Sequence, residues 1–358
     1  MAAVPSDATP WRRDVADAAR ALGRWVGHAF GPEAVLGGCT MPANGMANET
    51  VLFDVGEDRY VARLAPLEGA PYPTFPTFDL QFQRDCLELV RARTEVPVPE
   101  IVRLEEDSSW LGTPFLVMRR VEGEVPGDSP PYVVHGWMTE LSAPDLALLE
   151  ECTVSILAGI HTVGDPADLE RMVPPGQTGS VVHRQLDAQR AYYEWARDGH
   201  TVPALEEAFA VLGGSVPSSD RLVLNWGDSR IGNVIYRECR PVAVLDWEMA
   251  TAGPPEVDVA WMVFMHAFMQ DMVGGYGLRG IPDLLRRERV VELYERKSGS
   301  RLDELAWYEA FAGLRFGIIL LRMGLRSIAF GQMPPAEDPD SLIRFAPLLR
   351  RLVAAVQT

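Results

Sequence analysis

The sequence predicts an α+β chain of 358 residues, with strands concentrated in its first third and helices dominating the rest. Three observations predict this. Short β-branched runs bounded by turn residues recur at 39–41, 50–55, 60–64, 101–104 and 114–118. From residue 144 onward apolar residues recur at helical spacing over long stretches. Between these helical stretches, residues 222–262 hold three short apolar runs: Leu222–Leu224, Val234–Tyr236 and Val242–Leu245. Each is bounded by Gly, Asn, Arg-Pro or Asp and reads as a short strand.

Taken in order, residues 11–30 place Val15, Ala18, Ala19, Leu22, Trp25 and Val26 near helical spacing, which predicts an amphipathic helix. The strands 50–55 and 60–64 flank Gly56-Glu57-Asp58 and predict a hairpin. Asn44-Gly45-Met46-Ala47-Asn48 lies just before that hairpin. A turn of Asn, Gly and small residues can aim consecutive backbone N–H groups at a phosphate, and equally can be a plain turn. Residues 78–93 are helical by period, and 125–137 form a Pro-rich excursion. Helices are expected at 144–161, within 181–213, and at 255–271, 285–298, 303–331 and 339–356.

Composition narrows the partners. Fifty acidic against 33 basic residues give a formal charge of −17, which disfavours nucleic acid and anionic membrane and suits a cationic small molecule or simple solubility. No apolar run reaches 18 residues, so no membrane span is expected. The first residues lack a basic-then-apolar signal pattern, and Cys39, Cys86, Cys152 and Cys239 are scattered without C-x-x-C spacing. Reduced thiols, a cytoplasmic location and no structural zinc follow as expectations. Lys297 is the only lysine.

Chemistry concentrates at the ends of the three central strands. Asp228 and Asn233, five apart, occupy the loop between the first two, and Asp246 ends the third, so neighbouring turns should deliver all three side chains to one edge of a small sheet. That set suits phosphoryl transfer. One carboxylate can orient an attacking hydroxyl and take its proton, while an amide and a second carboxylate hold Mg²⁺. Singly, each is an ordinary turn residue. Asp258, in an apolar helical run after Gly-Pro-Pro, reads as a buried or N-terminal structural carboxylate.

The wording W-G-D-S-R-I-G-N-V-I-Y followed by V-L-D-W-E resembles the aminoglycoside phosphotransferase family, in the branch common among actinobacteria. The resemblance covers roughly residues 35 to 330. It implies a protein-kinase-like two-lobe fold, with an antiparallel-sheet lobe over 1–120, a mostly helical lobe over 121–358 and nucleotide between them. It implies Asp228 as the catalytic carboxylate, Arg230 as a cation on the transferring phosphoryl group, and Asn233 and Asp246 on Mg²⁺. For ATP, or GTP, it implies the Asn44–Asn48 turn over the phosphates and Arg63 in place of the usual lysine. The C=O of Arg119 and N–H of Val121 would meet the base, with Met118 lining its pocket. Trp226 replaces the family's histidine, His161 takes a structural histidine's place, and Gln83 or Arg84 falls where the helix carboxylate usually stands. The implied acceptor is a small-molecule hydroxyl, as on an aminoglycoside. The alternatives are a metabolic small-alcohol kinase of the same fold and a nucleotide-binding regulator with little catalysis.

Overall fold

A computed structural model describes residues 13–42, 49–174, 179–219 and 221–357. Its described residues form two compact units. One takes them from Met1–Arg84, Pro99–Arg120 and Met323–Pro335, the other from Asp85–Val98, Val121–Arg322 and Ala336–Thr358.

Helix α1 (Val15–Ala29) opens the chain, with the Asp14 carboxylate accepting from the Asp17 N–H at 3.0 Å as its N-cap. Strands β1 (Leu36–Thr40), β2 (Glu49–Val55) and β3 (Asp58–Leu64) follow, then α2 (Leu80–Arg93), β4 (Ile101–Glu105) and β5 (Phe115–Arg119). The five strands make one antiparallel sheet in the order β1-β2-β3-β5-β4. Val55 pairs with Asp58, so the β2–β3 hairpin turns on Gly56-Glu57 alone. Gly56 sits at φ +63°, a conformation that glycine adopts without cost at the first position of such a turn. Alternation along the strands points Val51, Phe53, Tyr60, Ala62 and Leu64 to one face, where they pack with Leu22, Trp25 and Val26 of α1. Each of the valine and leucine side chains in this set contributes about 1.5–3 kcal/mol by leaving water. Trp25 keeps its indole N–H satisfied on Glu105 at 2.9 Å.

The remaining elements are α3 (Ala143–Ile160), α4 (Pro166–Leu169), α5 (Val181–Ala196), α6 (Pro203–Gly214), β6 (Val223–Asn225), β7 (Val234–Arg237), β8 (Arg240–Val244), β9 (Thr251–Gly253), α7 (Glu256–Gly274), α8 (Arg287–Ser298), α9 (Leu305–Ala329) and α10 (Ala346–Val356). Helix α7 is apolar almost all round and accordingly buried along most of its length. Phe264 and Phe268 of α7 pack edge-on against Phe316 and Phe345 at centroid distances of 5.0 to 5.9 Å.

Two expectations need correction. The three central strands do not share one sheet: β7 pairs with β8, whereas β6 pairs with β9. The loop after β6 tightens into a 3₁₀ turn at Ile231–Asn233, and β6 finds its partner in a three-residue strand that carries no β-branched run of its own. The helix expected over 339–356 is broken. A 3₁₀ turn spans Pro339–Leu342 and α10 begins only at Ala346, because Pro347 has no N–H for the Ile343 carbonyl and its ring would clash with that carbonyl in a continuous helix, so the proline is tolerated only in the first turn.

Candidate active site

The site is built on the β6–β7 loop and on the end of β8. Asp228 is held on every side. Its Oδ2 accepts from Asn233 Nδ2 at 2.7 Å and from Arg230 Nε at 3.1 Å, and its Oδ1 accepts from the Trp261 indole at 2.8 Å. Asn233 Nδ2 also donates to the Asp228 carbonyl at 3.0 Å. Only the amide nitrogen can donate to these acceptors, so Asn233 Oδ1 is the atom left for a cation.

Leu245 joins Asp246 to this loop. Its N–H donates to the Asn233 carbonyl at 2.8 Å, and its carbonyl accepts from the Trp226 indole at 2.8 Å. Asp246 follows directly, in a left-handed conformation (φ +63°) that Asp tolerates better than most residues. The structure therefore brings Asp228, Arg230, Asn233 and the backbone of Asp246 together. A carboxamide oxygen and a carboxylate would be hard oxygen donors of the kind Mg²⁺ takes.

Asp258, fully buried, supports the loop from below. Its Oδ1 accepts from the Gly227 N–H at 2.9 Å and its Oδ2 from the Trp226 N–H at 2.6 Å, and its carbonyl accepts from the Ser229 hydroxyl at 2.8 Å. His161 stands against it, Nε2 at 3.1 Å from Oδ2 and Nδ1 at 2.8 Å from the Tyr294 hydroxyl. Both residues thus take the scaffolding places expected of them. Arg315 donates to the Gly227 carbonyl at 3.1 Å and lies 4.5 Å over the Trp261 ring. Burial lowers its pKa to about 10 while Asp258 and Asp228 pull the other way, so it keeps its charge at neutral pH.

Arg230 spans two carboxylates, Asp228 and Asp128, the latter at 2.5 Å from its Nη1. Burial alone would lower its pKa, but the two anions hold it above the usual arginine value. A small pocket, partly open to solvent, adjoins this pair and is lined also by Tyr132, Met262, Met265 and His266.

The expected nucleotide residues fall elsewhere in the chain. Arg63 lies on β3 opposite Thr50 and Leu116, and Met118 is buried on β5 opposite Val61. Arg119 ends β5, its N–H on the Glu100 carbonyl at 2.8 Å and its guanidinium on Asp58 at 2.6 Å. Val121 begins the second unit's next segment. Asn44, Gly45, Met46, Ala47 and Asn48 lie outside the described residues. Nothing in the spacing of Asp128 or Arg315 singles them out in the sequence. Asp258 and Trp261, three apart on a helix, share a face, and that spacing alone could have flagged the tryptophan.

Residues 39–291 match the phosphotransferase enzyme family. The chain belongs to that family. Among solved structures, this phosphotransferase resembles a provisionally assigned aminoglycoside phosphotransferase from Ralstonia eutropha, with TM-score 0.66 and 23% identity over 94% of this chain and 98% of that one. It also resembles a thermostable mutant of aminoglycoside phosphotransferase APH(4)-Ia, crystallised as a ternary complex with AMP-PNP and hygromycin B. There the TM-score is 0.57 and the identity 19%, over 94% and 98% of the two chains. These likenesses establish the protein-kinase-like fold, a small antiparallel sheet with a mostly helical remainder. Curated relatives include mouse acyl-CoA dehydrogenase family member 10, 27% identical over 88% of this chain, and human family member 11, 28% identical over 71%. The chain spans only 28% and 32% of those proteins' lengths. Among the described residues no helix is long and apolar enough to cross a membrane.

Proposed function

We propose that this phosphotransferase moves the γ-phosphoryl group of ATP, with GTP as the second nucleotide to assay, to a hydroxyl of a small molecule. The observation that carries this reading is the fixed Asp228 carboxylate, bonded to Asn233 and Trp261 and tied through Leu245 to Asp246. Asp228 orients the acceptor hydroxyl and takes its proton as the new O–P bond forms and the bond to the ADP oxygen breaks. Asn233 Oδ1 and Asp246 would hold Mg²⁺, which when bound would neutralise charge on the phosphates. Arg230 adds a positive charge beside the transferring group, and Arg63 does so farther along the nucleotide. Met118 and the main chain of Arg119 and Val121 receive the base, and the role of covering the phosphates goes to Asn44–Asn48, which lie outside the described residues. All four cysteines are free, which fits a reducing cytoplasm.

A cationic aminoglycoside is one acceptor class, supported by the fold relative crystallised with hygromycin B. A metabolic alcohol is the second, favoured by curated relatives whose names place them in acyl-CoA chemistry. ADP formation from Mg-ATP, followed across aminoglycosides, macrolides, sugars and hydroxyacyl compounds, separates them. Asp228→Ala should lower transfer by about 10²–10⁴-fold while nucleotide binding persists. Near-full transfer by that variant would show that Asp228 is not the proton acceptor.

A further inference from the structure

We propose that Asp128 is a positioning residue for phosphoryl transfer, acting by holding the Arg230 guanidinium bridged between two carboxylates. This rests on the phosphotransferase reading. An arginine beside one carboxylate gains most by closing a two-pronged fork on it. Arg230 does not do so: only its Nε reaches Asp228, at 3.1 Å, while Nη1 turns to Asp128 Oδ2 at 2.5 Å. The fork is divided, and Asp228 Oδ1 stays with Trp261. Without Asp128 the remaining ion-pair partner of Arg230 among the described residues is Asp228, and rotation of the guanidinium onto it would neutralise the proton acceptor and withdraw the cation from the phosphoryl group.

Two further observations assign Asp128 to Arg230 rather than to its own loop. A carboxylate that shapes a turn bonds neighbouring N–H groups. Asp128 Oδ1 instead has no hydrogen-bond partner among the described residues, and its Oδ2 meets Arg230, 102 residues away. The room for the pair comes from Gly232. A Cβ there would stand 2.8 Å from Arg230 Nη1 and 3.1 Å from Asp128 Oδ1. The glycine therefore sits where any side chain would press on the ion pair.

The test uses the full-length protein, Mg-ATP and water as the phosphoryl acceptor, so that it does not depend on knowing the alcohol. Asp128→Asn keeps the shape and removes the charge, and should lower kcat by about tenfold or more with little change in KM for Mg-ATP. Arg230→Gln should do the same, and the double variant should be no slower than the slower single. Gly232→Ala, which removes no charge, should reproduce the loss. Hydrogen exchange over residues 125–137 supplies a readout independent of turnover: each single variant should speed it, and the double no further. Multiplicative losses in the double variant, or an unchanged kcat in Asp128→Asn, would overturn the proposal while leaving the phosphotransferase reading intact. A wild-type protein without Mg-ATP turnover on water or any tested alcohol would overturn both readings, whatever the exchange shows.

Discussion

Gly227 carries the turn on which Asp228 is presented. Its φ is +90°, and a Cβ would lie 1.9 Å from the Met249 carbonyl oxygen, so an alanine there meets backbone that has no room to retreat. Gly227→Ala should cost about 2–4 kcal/mol in urea unfolding and abolish transfer, and an unimpaired variant would contradict the loop geometry. His266 offers a pH-dependent counterpart. It is buried, bonded to the Tyr132 hydroxyl at 2.8 Å and to the Ile281 carbonyl at 3.2 Å, with Gln270 alongside. Burial pushes its pKa down to about 4, against a weaker upward pull from the Ile281 carbonyl. Between that value and the ordinary 6.5 the unfolded chain binds a proton that the folded chain does not. Its contribution is therefore full above the ordinary value and lost as pH falls toward 4, by about 2–3 kcal/mol between pH 7.5 and 4.5. His266→Gln, which can keep both hydrogen bonds, should lack that part of the acid loss in urea titrations. At this scale the sequence is readable where spacing sets contact: Asp228 and Asn233, five apart, bond each other across one turn, and Leu245 ties the residue before Asp246 to the same turn. Asp128 was not readable, because its partner lies 102 residues away and its own neighbourhood is an unremarkable Pro-rich loop.

Helix α7 is the element that fixes the loop carrying Asp228. Asp258 in its first turn takes the N–H groups of Trp226 and Gly227, and Trp261 one turn later takes Asp228. The helix N-terminus favours the Asp258 anion, but three polar groups depend on that one carboxylate in a dry setting. Asp258→Ala strands two buried N–H groups and His161, and should destabilise by about 3–5 kcal/mol. Trp261→Phe should retain most of the fold and lower transfer by about tenfold, since Asp228 Oδ1 loses its donor. Comparing thermal midpoints with initial rates distinguishes the two, and equal destabilisation by both would show that α7 is scaffold alone. Most helices and the N-terminal strands follow from apolar period. Strand β9 does not, since Thr251-Ala252-Gly253 has no β-rich signature and is a strand only because β6 lies beside it.

Across the whole molecule the dominant quantity is the formal charge of −17. Many arginines are engaged in exposed pairs, such as Arg289 with Glu292 at 3.0 Å and Arg351 with Asp271 at 2.7 Å, each worth little in water. Salt weakens these pairs and also weakens repulsion among the surplus acids, so the two effects oppose each other. The surplus decides the sign: at about 0.01 M salt charges interact over about 30 Å, and at about 0.15 M over about 8 Å, so repulsion across the protein is removed first. The thermal midpoint should therefore rise by about 2–5 °C between about 10 and 300 mM NaCl, and rise similarly in KCl. A falling midpoint would mean that the arginine pairs outweigh the surplus. The same field draws cations, so kcat/KM for a cationic acceptor should fall over that salt range while that for an uncharged alcohol should not. A matching fall for the uncharged alcohol would place the salt effect on the nucleotide rather than on acceptor capture.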